Sequence, residues 1–108
     1  MIWPISDWTG YGQLQLDVFN PQETELAVGI NIGDRIHAET GHEPSNRYQK
    51  RFLVPASAVL TIAIPLHEVA SAPVARRMVM TEIAMLDLYM PDADEPTILF
   101  VDNIRLTK

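Results

Sequence analysis

Residues 13–34, QLQLDVFNPQETELAVGINIGD, alternate apolar and polar side chains with a period of two. Nowhere does the chain hold a 3.6-residue apolar period long enough for a helix of more than a turn or two. This alternation is the strongest constraint on the fold, because a period of two suits only a strand with one face against a core. Leu14, Leu16 and Val18 share one parity, and Leu26, Val28, Ile30 and Ile32 repeat it after the turn signal Asn20-Pro21. The short connection predicts that these two strands pair with each other.

Downstream, Tyr48, Phe52 and Val54 mark a third strand closed by Pro55, and Leu60, Ile62 and Ile64 a fourth closed by Pro65. Residues 67–82 lose the alternation and read as a loop with one helical turn. IAMLDLYM (83–90) is apolar on both parities, as in a strand covered on both sides. TILFVDNIRL (97–106) is the last strand. Six strands without a crossover helix predict an all-β antiparallel sandwich or barrel, and 108 residues suit one domain spanning 1–108.

Composition excludes several function classes. A formal charge of −6 disfavours a phosphate backbone as partner. No apolar run reaches the roughly 18 residues of a membrane span. The start, MIWPISDW, lacks the pattern of a secretory signal, and the absence of cysteine removes disulfides and thiolate metal sites. Localisation stays open, extracytoplasmic if the chain is a secreted module.

The segment GDRIHAETGHEPSNRYQKRF (33–52) concentrates charge, amide and imidazole. His37, Glu39, His42 and Glu43 offer nitrogen and oxygen donors, but Gly41 and Pro44 break any helix that would hold them in zinc geometry, and the segment reads as a solvated loop. Asp17 and Asp87 are the carboxylates to weigh for glycoside hydrolysis, which needs two acids roughly 5–9.5 Å apart across a cleft. No cleft is legible around them, and no serine stands in a nucleophile elbow.

DWTGYGQLQLDVFNP (7–21), together with GDRIH, NRYQKRF, IPLHEVASAP and LFVDNIRL, resembles bacterial jelly-roll domains of the galactose-binding-like group, which includes many carbohydrate-binding modules. The resemblance implies a jelly-roll-like sandwich, a non-catalytic role, and an oligo- or polysaccharide as partner. It places Trp8 in the core and puts Asp102 where the family's last-strand acid often joins a structural calcium site. Such domains have one or two further strands before the Asp-Trp motif, where this chain has only MIWPIS. Unpaired sheet edges, and with them a homodimer or domain-swapped oligomer, are therefore expected.

Parity then nominates a recognition face. With the apolar positions inside, Asp17, Asn31, Arg47, Arg51, Asp87 and Tyr89 turn to the opposite side, along with Gln15 and Gln49. Asp34, Arg35 and His37 sit in the adjoining loop. Acids, amides, guanidinium groups and one aromatic ring are what a sugar's hydroxyls and C–H patches require. Trp3 and Phe19 are candidates for exposure, and Tyr48 for burial. The leading expectation is a carbohydrate-binding module. The alternatives are a structural or interaction domain that self-associates or docks a partner chain, and a small glycoside-active enzyme using Asp17 and Asp87.

Overall fold

The computed structural model describes residues 6–41, 44–91 and 97–108. Six strands, β1 (Gln13–Asn20), β2 (Leu26–Asp34), β3 (Tyr48–Val54), β4 (Ala58–Pro65), β5 (Ile83–Tyr89) and β6 (Phe100–Thr107), form two three-stranded sheets in the orders β4-β1-β6 and β3-β2-β5. All pairings are antiparallel. The molecule is an all-β sandwich. Two five-residue helices, α1 (Arg35–Glu39) and α2 (Leu66–Ala70), sit in its connections.

The alternation makes the layers. Leu14, Leu16 and Val18 of β1 and Val28, Ile30 and Ile32 of β2 are all fully buried in one core, with Ile62, Ile64, Val54, Tyr48 and Leu86 around them. Each such aliphatic side chain contributes roughly 1.5–3 kcal/mol relative to exposure. Trp8 is buried in the same cluster, and its backbone N–H donates to the carbonyl of Met80 at 2.9 Å.

One expectation is overturned. β1 and β2 do not pair: β1 lies between β4 and β6, and β2 between β3 and β5. Residues 21–25 carry the chain from one sheet to the other. Strands on facing sheets and strands side by side bury the same parity, so periodicity alone cannot tell them apart.

Asn20 fixes that crossing. Its buried Nδ2 donates to the carbonyls of Thr24 (2.9 Å), Val54 (3.2 Å) and Pro55 (3.2 Å), while its Oδ1 accepts from the Gln22 N–H at 2.9 Å. One side chain thus ties the β1–β2 turn to the β3–β4 turn and satisfies backbone groups that a loop would otherwise leave unpaired.

The strand expected to be covered on both faces, residues 83–90, is not so covered. β5 is a sheet edge, with Ala84 exposed. The strand buried on both faces is β2, whose outward Gly29, Asn31 and Gly33 are all covered. At Gly29 a Cβ would come within 2.2 Å of Cζ of Tyr89, and at Gly33 within 2.5 Å of Cδ2 of His37. Glycine admits a neighbouring side chain laid flat over the strand.

Candidate functional site

The sandwich has two outer walls, and the parity-selected residues divide between them. The wall of β3-β2-β5 carries Arg51, Gly29 and Tyr89 in one register row and Gln49, Asn31 and Asp87 in the next. Tyr89 leans from the edge strand across Gly29, and its hydroxyl accepts a hydrogen bond from Gln49 Nε2 at 2.8 Å. Gln49 Oε1 in turn accepts from Arg47 at 3.4 Å, which fixes the orientation of the amide. The tyrosine ring on one edge strand is therefore held by a side chain of the other edge strand, and its hydroxyl, accepting here, keeps its own hydrogen as a donor.

Asn31 lies between Gln49 and Asp87 and is 9% exposed, with its Oδ1 buried and lacking a hydrogen-bond partner among the described residues. Half-buried Asp87 has no hydrogen bond or ion pair to a described residue. Arg51 stands exposed beside the ring. A shallow groove of about 500 Å³, lined by Asp87, Tyr89, Met90, Ile98, Leu99 and Val101 among others, adjoins the wall at its β5 edge.

Asp17 belongs to the other wall, because β1 belongs to the other sheet. Its carboxylate accepts from Thr61 Oγ1 (2.8 Å) and Asn103 Nδ2 (3.2 Å) and lies 3.6 Å from Arg105. The Thr61 hydroxyl first, then the Asn103 amide, hold its pKa below the usual carboxylate value. Gln15 shares this wall. Sheets pack about 10 Å apart, and Asp17 and Asp87 point away from each other, so they cannot flank one glycosidic bond. Phe19 is exposed on this wall too, stacked on Phe100 with ring centroids 6.0 Å apart.

The loop residues have other roles. Asp34 is fully buried at the end of β2 and caps α1 by accepting from the His37 N–H at 3.0 Å. It also receives two guanidinium bonds from Arg76, at 2.7 and 2.8 Å, and one from the Val79 N–H at 2.7 Å. Burial pushes its pKa up, but the Arg76 bonds, then the Val79 and His37 N–H groups, outweigh that and bring it to about 2. Arg35 is exposed and paired with Glu82 and Glu39. His37 is fully buried against Gly33. The expected loop is in fact the short helix α1 and a 3₁₀ turn at Pro44–Asn46, built around this charge tie. Asp34 and His37 are thus inside the protein rather than in a solvated loop. A polar residue type does not reveal whether a partner elsewhere in the chain, here Arg76, will draw it in.

His42 and Glu43 of the donor-rich segment lie outside the described residues, as does Trp3. Among the described residues no group of three or more His, Asp or Glu side chains could hold a metal ion. Asp102 is exposed, opposite Asp17, and its Oδ1 accepts from the Asn103 N–H. Calcium takes six to eight oxygens. Among the described residues two acids, Asp17 and Asp102, meet here, with Arg105 3.6 Å from Asp17.

On the wall of β3-β2-β5, parity turns Gln49 outward without revealing its bond to Tyr89, and it gives Gly29 no role. Gln49 locks the ring, and Gly29 seats it; the one signal for the latter is a glycine at an outward position in mid-strand. Comparison with family models, with curated proteins and with solved structures finds no match to this chain.

Proposed function

We propose that the protein is a non-catalytic carbohydrate-binding module and that the wall of β3-β2-β5 is its binding face. The observation that carries this reading is the Tyr89 ring, seated on Gly29 and tethered by Gln49, next to Asp87 and Asn31, whose carboxylate and Oδ1 have no partner among the described residues. An immobilised ring offers a sugar's C–H face a platform without the entropy of ordering it. Asp87 and Asn31 accept from hydroxyls, and the Arg51 fork and the Tyr89 hydroxyl donate to them. A buried carbonyl oxygen without a donor costs about 1–3 kcal/mol, which a ligand hydroxyl reaching it would relieve.

The test is a glycan array followed by calorimetry on the best ligand. Tyr89→Ala and Arg51→Ala should each weaken binding by ~1–3 kcal/mol. Gly29→Ala keeps every polar group but lifts the ring from its seat, and affinity should fall with it. Asp17→Asn, on the opposite wall, should bind like the parent. Absence of binding across a broad panel, or loss in Asp17→Asn with full affinity in Tyr89→Ala, would refute the assignment.

A further inference from the structure

Among the described residues the two three-stranded sheets leave four edges: β3 and β5 in one, β4 and β6 in the other. Natural sheets blunt such edges with charges, bulges or irregular backbone. β3 carries Lys50 on its core-facing parity, exposed at the rim over the Phe52 ring, together with Arg51. β6 shifts register opposite Leu16, with Asn103 at φ 55°, and bears Asp102 and Arg105. β5 has Asp87, a register irregularity at Gly33/Asp34, and a hydrogen bond from its first residue, Ile83, to Ser6. β4 has such features only outside its middle, in Ser57 at φ 52° before its first residue and Pro65 at its last, and residues 59–63 between them have none. Its sequence AVLTIAIP holds no charged residue, and its eight residues pair with β1 without a register shift. Among the described residues no backbone-to-backbone hydrogen bond reaches its outer side.

We infer that β4 is a self-association edge, pairing antiparallel with β4 of a second copy to give a continuous six-stranded sheet β6-β1-β4-β4-β1-β6. The occupant is a second copy because the strand is complementary to itself. With the two-fold axis at Thr61, Val59 lies opposite Ala63, Leu60 opposite Ile62, and Thr61 opposite Thr61. Every pair keeps core-facing residues with core-facing ones and outward with outward. Half-buried Leu60 gains the partner's Ile62 on the core side. The chain's charge of −6 repels other copies in general, yet no acid lies on this edge. The nearest acid, Asp17 on the neighbouring strand, is already countered by Arg105.

Outward Val59 and Ala63 are exposed, and their neighbours on β1 are the uncharged Phe19 and Gln15, so charges placed there leave the fold intact. The experiment is sedimentation equilibrium of the parent chain and of two double variants, V59K/A63K and V59E/A63E, each first matched to the parent by far-UV circular dichroism. The parent should dimerise in the micromolar-to-millimolar range. Each double variant, with like charges facing at both ends of the junction, should dimerise at least tenfold more weakly. A one-to-one mixture of the two should recover a heterodimer at least as tight as the parent. A parent that stays monomeric at 1 mM, a dimer indifferent to both variants, or a mixture with no heterodimer would each overturn the inference.

Discussion

Arg76 sits in a stretch of sequence, residues 67–82, that shows no periodicity, yet it secures one of the most buried charges of the molecule. Asp34 is fully enclosed, and the Arg76 fork meets both of its oxygens. Removing one member of a buried pair leaves the other uncompensated, at a cost of about 3–5 kcal/mol. Arg76→Ala should lower the free energy of unfolding by ~3 kcal/mol in urea titrations. Arg76→Lys should recover only part of that, since an ammonium cannot bridge both oxygens. The same carboxylate sets an acid limit. Its folded pKa of about 2 lies below its unfolded value, so its stabilisation is complete above the ordinary carboxylate range and is lost as pH falls through the folded pKa. Between roughly pH 4 and pH 2 the stability should drop by about 2 kcal/mol from this group. Denaturation curves of Asp34→Asn, whose stability is already lower, should show a shallower slope in that window.

At the scale of elements, the strands were legible and their neighbours were not. Five of the strands begin and end close to where alternation and proline place them, because burial on one face imposes a period of two regardless of what lies beside the strand. Pairing depends on where each turn sends the chain, and here that depends on one amide. Asn20 clamps two turns through its side chain, and three of its bonds are donated to carbonyls. Asn20→Asp replaces that donor by an acceptor facing the same carbonyls. It should cost ~2–3 kcal/mol at neutral pH, measured by thermal unfolding, with partial recovery as the new acid is protonated. Gly29 shows the same division. Its position in mid-strand signals a close approach, but only the β2–β5 register identifies Tyr89 as the side chain that comes near.

For the whole molecule, one core cluster draws on both sheets, on α2 and on Trp8. A single core that no sheet completes alone should unfold cooperatively, so tryptophan fluorescence and far-UV circular dichroism should give coincident transitions. A plateau in one probe but not the other would count against that. The sandwich also explains why the parity-selected face split in two: alternation marks which side chains turn outward, but two stacked sheets have two outsides. Asn31, Asp87, Arg47, Arg51 and Tyr89 share a wall, while Asp17 and Gln15 stand on the far one. Strand class, buried parity and the membership of the core are readable from the residues alone, since these follow from side-chain polarity and a local period. Which strands are neighbours, the enclosure of Asp34 by Arg76 and the seat of Tyr89 on Gly29 emerge only once the chain is folded. Each of those depends on contacts between residues distant in the chain, 42 positions apart for Asp34 and Arg76 and 60 for Gly29 and Tyr89, and no local pattern of residue types encodes such a contact.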